Sequence, residues 1–353
     1  MHLPLPSEHV VHQLQALGRL LRDAVIAARS ADAAFAGVSR HTVADTIYQL
    51  DTHVEPVLEH FCAAWASQIP GGIVLVAEGV EGPGGAEGIT TFPPGTDPEK
   101  AAIRLIVDPI DGTRGLMYDK RAAWVLMGVA ANRGATTRLS DIEVAVQVEM
   151  PTSRQGASDV LWATKGGGAF GQREWRNSEG DGRKVHWSPP RTFALRASTA
   201  TTLAHGFASV VNFFPGTKIL ASELMERIVL ATIGPADVNK ALVFDDQYIS
   251  TGGQFYELMA GHDRFTADLR PLFYRILGQP AGLCAHPYDV STMLIAREAG
   301  VIITDGLGGE LDGPLDVETP LPWAGYANAA IRDQVEPAIV RWMMERGLGG
   351  MVK

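Results

Sequence analysis

The sequence is poor in cysteine and has no long hydrophobic run. Its two cysteines in 353 residues, Cys62 and Cys284, can form at most one disulfide, and their spacing fits neither a disulfide framework nor a zinc site. We expect both to be buried free thiols. No apolar stretch approaches the roughly 20 residues that cross a bilayer, and the N-terminus lacks the regions of a secretory signal. These absences predict a soluble, cytoplasmic protein without a membrane partner.

Positive charge is also scarce. The chain has 30 Lys and Arg against 40 Asp and Glu, and its formal net charge is -10. Because binding to a phosphate backbone needs clustered basic side chains, nucleic acid is not an expected partner. The length is sufficient for two domains that share a cleft. We place their boundary where Trp187-Ser-Pro-Pro190 interrupts the regular pattern, which gives an N-terminal domain of residues 1–189 and a C-terminal domain of residues 190–353.

The hydrophobic pattern indicates an α/β protein. Helical spacing of apolar residues covers 7–30, 44–66, 221–231, 291–299 and 332–346, while short apolar runs at 73–77, 103–107, 122–130, 143–149, 160–164, 193–197 and 301–304 predict strands. Between the first two strands, residues 79–100 are rich in Gly, Pro, Glu and Thr, which predicts a long loop.

Two carboxylates directly follow the second buried strand, in the motif Asp108-Pro-Ile-Asp-Gly-Thr113. Proline removes one backbone donor and glycine allows a sharp turn, so the amides of Gly112 and Thr113 can face an anion, while the carbonyl of Ile110 can face a cation. The motif by itself is compatible with two interpretations. It is either a turn whose aspartates cap a following helix, or a site that binds cations and phosphate side by side.

Two further carboxylates stand where other regular elements begin or end. Glu78 ends the first buried strand, and Asp289 opens the helical pattern that precedes the strand at 301–304. Buried acids need partners. The four acids together therefore favour a binding site over a simple turn.

With these motifs the sequence resembles the inositol monophosphatase family, Mg2+-dependent and lithium-sensitive phosphatases that include fructose bisphosphatases and bisphosphate nucleotidases. The resemblance spans nearly the whole chain and rests on residues 44–51, 76–78, 108–113, 166–170 and 288–289. It implies a layered αβαβα sandwich, hydrolysis of a small phosphorylated metabolite such as a sugar or cyclitol phosphate, and a homodimer.

The resemblance also implies two to three Mg2+ per site. The implied ligands are Glu78, Asp108 and the Ile110 carbonyl for one ion, Asp108, Asp111 and Asp289 for a second, and Asp51 with Glu78 for a third, weaker one. All are hard oxygen ligands, and no His or Cys stands at a matching position, which argues against zinc. Thr113, oriented by Asp51, would help Glu78 to position the attacking water. The amides of Gly112 and Thr113 would hold the phosphate.

The sequence departs from this family at two positions. Many relatives carry a second acid directly after the residue that matches Glu78, but here this position is Gly79, and the next acid is Glu81. Inositol monophosphatases also place an acid about seven residues before the residue matching Asp289, where it holds substrate hydroxyls, and here that position is Gly282. We therefore expect a different cyclitol or sugar phosphate, such as a bisphosphate, to be preferred over myo-inositol phosphate.

The sequence predicts the substrate less well than the metal ligands. We interpret residues 265–282 as an extended segment that brings basic and aromatic side chains to the cleft. The candidate substrate contacts are Arg114, Arg270, Tyr274 and Arg275. The alternatives are inositol-1-monophosphatase proper, fructose-1,6-bisphosphatase, a 3'-phosphonucleotide phosphatase, or a weakly active regulator that binds metal or sugar phosphate.

Two glycine-rich segments resemble binding loops without their context. Residues 166–171 match the pattern of a dinucleotide-binding turn, but no apolar crossover helix follows, so we predict a tight turn between strands. Residues 305–312 lack the alternating oxygen ligands of a calcium loop, and we predict a hairpin turn there.

Overall fold

The computed structural model describes residues 2–31, 38–41, 46–48, 53–81, 87–177, 186–235, 237 and 239–351. The helices in these ranges are α1 (Ser7–Ala31), α2 (Glu55–Ala66), α3 (Thr113–Met117), α4 (Lys218–Thr232), α5 (Thr251–Met259), α6 (Arg270–Ile276), α7 (Met293–Glu298) and α8 (Ala329–Met343). A short antiparallel pair is formed by β1 (Val38–His41) and β2 (Thr46–Tyr48).

The largest sheet has nine strands. They are β3 (Ile73–Glu81), β4 (Glu87–Phe92), β5 (Ile103–Asp111), β6 (Ala123–Ala131), β7 (Ile142–Met150), β8 (Ala157–Thr164), β9 (Gly168–Asn177), β10 (His186–Trp187) and β11 (Arg191–Phe193). Their order is β10-β9-β8-β7-β6-β5-β3-β4, and β11 also pairs with β9. Within the sheet, β3 and β5 run parallel while the other pairs are antiparallel.

The second sheet has five strands. They are β12 (Gly206–Val210), β13 (Val243–Phe244), β14 (Asp263–Asp268), β15 (Ile302–Thr304) and β16 (Trp323–Tyr326). Their order is β13-β12-β14-β16-β15, with β12 parallel to both of its neighbours.

Alternating side chains of the large sheet face two different helix layers. On β3, Ile73 and Leu75 pack with α1 and α2, whereas Val74 and Val76 pack against the layer that contains α5 and α7. Helices α5 and α7 also contact the small sheet, whose other face is covered by α4, α6 and α8. The layers therefore run helix, sheet, helix, sheet, helix. The αβαβα sandwich expected from the sequence is confirmed.

Helix α1 illustrates how the sequence pattern becomes packing. Val10, Leu14, Leu17, Leu21 and Val25 recur every three or four residues and are all buried against the large sheet. The predicted helix is confirmed there. Cys62 and Cys284 are both buried and free, as expected from their sequence context.

Several predicted elements are wrong in extent. The helix predicted over 44–66 begins only at Glu55, because residues 46–48 form strand β2. The loop predicted over 79–100 contains β4, which pairs with β3. The strand predicted at 193–197 ends at Phe193, and the extended segment predicted over 265–282 contains α6. At β2 and β4, pairing with the preceding strand, β1 or β3, overrides the local pattern.

The predicted domain boundary falls inside the large sheet. Strand β11 lies beyond residue 190, yet it pairs with β9, so this sheet extends to Phe193. The division of the chain into two domains remains a prediction. Among the helices described, none is both long and apolar enough to cross a membrane.

Candidate metal and phosphate site

Parallel pairing of β3 with β5 brings the first two acids together. Ala77 on β3 pairs with Val107 on β5, so the next residues, Glu78 and Asp108, stand side by side where this parallel pairing ends. The prediction that each acid stands at the end of its strand is wrong, because β3 continues to Glu81 and β5 to Asp111. Both line the cavity at that edge of the sheet. The Ile110 amide donates to Asp108 Oδ1 over 3.0 Å, which holds that carboxylate within the turn.

Asp111 is held by the start of α5. Its Oδ2 accepts hydrogen bonds from Ser250 Oγ at 2.8 Å and from the Gly252 amide at 2.6 Å, while Oδ1 accepts one from the Thr251 amide at 3.2 Å. A Cβ on Gly252 would lie 3.0 Å from Asp111 Oδ2 and 2.4 Å from Leu126 Cδ2. Glycine is therefore what allows α5 to approach the carboxylate this closely.

Asp289 reaches the same cavity from a turn. Its Oδ2 accepts a hydrogen bond from the His286 amide at 2.7 Å, and its own amide donates to the His286 carbonyl. The assigned helix α7 starts only at Met293, so the prediction that Asp289 opens the helix is wrong by four residues. The turn before the helix presents the carboxylate instead.

The three aspartates form a compact buried cluster. Asp108, Asp111 and Asp289 each offer an oxygen within 4.8 Å of the others. Burial and then the neighbouring charges of Asp111, Asp289 and Glu78 raise the pKa of Asp108 well above its usual range. Burial and the charge of Asp289 raise the pKa of Asp111 to about 7, despite the hydrogen bonds from Ser250, Gly252 and Thr251.

This donor set fits a divalent cation that prefers oxygen ligands. Within the described ranges, neither Asp108 nor Asp111 forms a salt bridge with a Lys, Arg or His side chain, and His286 Nδ1 lies 3.7 Å from Asp289 Oδ2. Asp108 and Asp111 lie this close to Asp289 without a basic partner of their own, and a bound divalent cation would stabilise such an arrangement. Glu78 and Ile110, two further residues of the predicted ligand set, line the same cavity.

The turn after Asp111 depends on glycine. Gly112 has a φ of 94°, in the left-handed region, and a Cβ there would lie 3.0 Å from Ser250 Cβ. Thr113 starts α3 and donates its hydroxyl to the Ile110 carbonyl over 2.7 Å. The first amides of a helix have no partner within it, so this turn can offer N–H groups to an anion. Asp51, predicted to orient Thr113, lies outside the described residues.

The small sheet supplies the opposite wall of the cavity. Phe213 and Phe214 follow β12, and Arg270 follows β14, so these side chains also stand at carboxyl ends of strands. Arg114 lies beside them, with its guanidinium 5.2 Å from the centroid of the Phe214 ring. The cavity of about 70 Å3 is thus lined by acidic side chains from β3, β5 and the turn before α7, and by the aromatic and basic side chains of Phe213, Phe214, Arg114 and Arg270.

No protein-family model matches the sequence, and no curated protein matches it. Solved structures match nearly the whole chain. The extragenic suppressor protein SuhB from Bartonella henselae is 17% identical, with 94% of this chain and 98% of that chain covered and a TM-score of 0.61. An IMPase (inositol monophosphatase) from Thermotoga maritima is 16% identical, with 94% of this chain and 97% of that chain covered and a TM-score of 0.57. The fructose-1,6-bisphosphatase from Leishmania major is 13% identical, with 94% of this chain and 92% of that chain covered and a TM-score of 0.61. The chain has the inositol monophosphatase fold.

In this inositol monophosphatase fold, the candidate substrate residues are distributed unevenly. Arg114 and Arg270 line the cavity, whereas Tyr274 and Arg275 lie on α6 and are not among the residues that line it. Arg275 is exposed, and Tyr274 is half-buried. The helical structure of residues 270–276 separates these side chains around the helix axis, which the predicted extended segment would not have done.

Tyr274 nevertheless explains one departure from the family. A Cβ built on Gly282 would lie 2.9 Å from the Tyr274 hydroxyl, so the tyrosine occupies the space where a side chain at position 282 would start. The other departure has a backbone cause. Gly79 has a φ of 81° at an irregularity of β3. This left-handed backbone conformation disfavours any residue with a side chain, including an acid.

Sequence reasoning did not identify the partners of Asp111 or the aromatic wall. Ser250 caps α5, accepting a hydrogen bond from the Gly253 amide, and Ser-Thr-Gly-Gly is a recognisable helix start. That signal could have suggested an anion-facing helix terminus. Nothing local in Phe213-Phe214 distinguishes them from core residues.

Proposed function

We propose that the protein is a Mg2+-dependent phosphomonoesterase of the inositol monophosphatase family that hydrolyses a small sugar, cyclitol or related phosphate. The observation that carries this proposal is the buried cluster of Asp108, Asp111 and Asp289, with oxygens within 4.8 Å of one another. The fold and the adjoining turn support it. The cytoplasmic location and the homodimer remain predictions from the sequence.

Each residue of the site has a proposed task. Glu78, Asp108, the Ile110 carbonyl, Asp111 and Asp289 would hold two or three Mg2+. When bound, Mg2+ lowers the pKa of water, binds phosphoryl oxygens and neutralises the leaving alkoxide. The amides of Gly112 and Thr113 would orient the phosphate by hydrogen bonds. Glu78 and the Thr113 hydroxyl would position the attacking water, and Asp51 would orient Thr113.

The proposal is tested by phosphate release. We expect the purified protein to release phosphate from small monoesters with Mg2+ and to lose this activity with excess EDTA, since the carboxylates then repel the substrate phosphate instead of holding cations. Restoration by added Mg2+ is the control. Undiminished turnover in EDTA would contradict metal dependence, and metal binding without turnover of any ester would instead identify a regulator.

Metal binding has a second readout that does not need turnover. The folded-state pKa of Asp111, about 7, lies above its ordinary value of 3.8, so the metal-free fold loses stability as pH rises between these values. At any pH below about 7, Mg2+ must displace a proton from Asp111 in order to bind. We therefore expect Mg2+ to raise Tm more at pH 8 than at pH 5, measured by thermal unfolding. An equal shift at both pH values would argue against binding at this cluster.

The glycine at position 282 predicts that myo-inositol 1-phosphate is not the preferred substrate. No side chain extends from Gly282, and the Tyr274 hydroxyl occupies the adjacent space. A site that lacks the acid which binds substrate hydroxyls loses discrimination for that polyol. We expect kcat/KM for another cyclitol, sugar or bisphosphate ester in a panel to exceed that for myo-inositol 1-phosphate. A highest value for myo-inositol 1-phosphate would refute this prediction.

A further inference from the structure

The wall opposite the carboxylate cluster presents two aromatic rings. Phe213 and Phe214 are half-buried, line the cavity, and stand in a T-shaped arrangement with ring centroids 4.8 Å apart and an interplanar angle of 88°. Phenyl rings offer neither a hydrogen-bond donor nor a conventional acceptor. The two rings therefore cannot recognise hydroxyl groups by hydrogen bonds, and their contribution to binding is contact with apolar surface.

Arg270 holds the two rings from one side. The carbon of its guanidinium lies 4.8 Å from the Phe213 centroid and 5.4 Å from the Phe214 centroid. Its Nε donates to Asp268 Oδ1 at 2.8 Å, its Nη2 to Asp268 Oδ2, and its Nη1 to the Leu283 carbonyl at 2.9 Å. Because this arginine is 5% exposed and bound within the protein, it positions the rings more than it attracts an anion.

Gln247 holds the same loop from the other side. Its Oε1 accepts a hydrogen bond from the Asn212 amide at 2.9 Å, and its Nε2 donates to the Val210 carbonyl at 3.1 Å. Three residues later, Ser250 donates to Asp111. Residues 247–250 thus contact both the aromatic loop and Asp111 of the carboxylate cluster, so one piece of chain links the two.

We infer that Phe213 and Phe214 bind the leaving group of the substrate and select esters whose leaving group presents a flat apolar face. The C–H face of a pyranose or cyclitol ring has this chemistry, and so has an aryl ring. The inference rests on the proposed function, because a phosphoryl group at the carboxylate cluster directs the leaving group across a cavity of about 70 Å3 to the two rings. A small acyclic alcohol covers less of either ring.

The test compares two phenylalanines seven residues apart. Phe214→Ala removes a ring from the wall, whereas Phe207→Ala removes one from β12 that packs on Phe244 and does not line the cavity. The kcat/KM values are measured with Mg2+ for glucose 6-phosphate, myo-inositol 1-phosphate, phenyl phosphate and glycerol 2-phosphate. The kcat/KM of each variant is divided by the wild-type kcat/KM for the same ester, so that differences in intrinsic reactivity between the esters cancel. Phe214→Tyr keeps the ring, and Phe214→Leu carries the test if Phe214→Ala does not fold.

We expect Phe214→Ala to lower kcat/KM about tenfold more for at least one ring ester than for glycerol 2-phosphate. Phe214→Tyr should restore the wild-type ratio, and Phe207→Ala should leave it unchanged. A loss confined to the sugar and cyclitol esters assigns the wall to carbohydrate rings, and a loss confined to phenyl phosphate assigns it to aryl groups. Equal losses of kcat/KM for ring and acyclic esters in Phe214→Ala would overturn this inference but not the proposed function. Absence of wild-type turnover on every ester would overturn the proposed function and the inference with it.

Discussion

We expect Asp111→Asn to lower kcat by at least about a hundredfold with saturating Mg2+, because the substitution removes a charged ligand whose stabilisation of the transition state is worth several kcal/mol. Asparagine also changes the local hydrogen bonds. Asp111 accepts from Ser250, Thr251 and Gly252, and an Asn side chain would turn an NH2 group towards one of these donors. Initial rates of phosphate release across a Mg2+ titration measure the effect, and thermal unfolding measures the stability.

Ser250→Ala is the matched control for this experiment. It removes one hydrogen bond to Asp111 Oδ2 but keeps the negative charge. If the charge carries the effect, Ser250→Ala retains much more activity than Asp111→Asn at similar Tm. Comparable losses in the two variants would mean that Asp111 acts by holding α5 and not as a metal ligand, and normal turnover by Asp111→Asn would refute its assignment altogether.

The second large effect is expected at Asp289, which lies 178 residues further along the chain than Asp111. Asp289→Asn should also lower kcat at least about a hundredfold, since the cluster then loses the acid contributed by the C-terminal half. The measurement is again kcat with Mg2+, together with the Mg2+ concentration that gives half-maximal rate. That concentration should rise, because fewer charges hold the cation.

Asp305→Asn provides the comparison in the same half of the chain. Asp305 Oδ1 accepts hydrogen bonds from the amides of Leu307 at 2.8 Å and Gly309 at 2.9 Å. An asparagine oxygen can accept both, so we expect kcat within about twofold of the wild type. A greater loss of kcat for Asp305→Asn than for Asp289→Asn would show that the C-terminal metal ligand lies in the turn of Asp305 and not in that of Asp289.

The elements of the fold were predictable where the local pattern agreed with the final packing. Helix α1 and strands β3 and β5 follow from their apolar spacing, because one face of the helix and both faces of the strands are buried. The prediction failed at Thr46–Tyr48 and at α6. Segments this short do not hold enough turns or alternations to separate helix from strand, so tertiary partners decide their structure.

The candidate metal site was more predictable than the substrate contacts for a related reason. Glu78 and Asp108 each follow a short apolar run, and the parallel pairing of those runs makes the two acids neighbours without further information. The turn of Gly112 is likewise encoded locally, since its positive φ requires a residue without a side chain. Substrate contacts have no such local rule, and of the four candidates only Arg114 and Arg270 line the cavity.

The sequence by itself identified the four acids that line the cavity, the turn that follows Asp111, and the missing side chain at Gly282. Tertiary structure alone decided that Ser250 and Gly252 hold Asp111 and that Phe213 and Phe214 face the acidic cluster across the cavity. These partners lie far apart in the sequence, so no periodicity or spacing reports them. Their meeting depends on how the two sheets pack on the shared helix layer, which brings the carboxyl ends of β5 and β12 to one cavity.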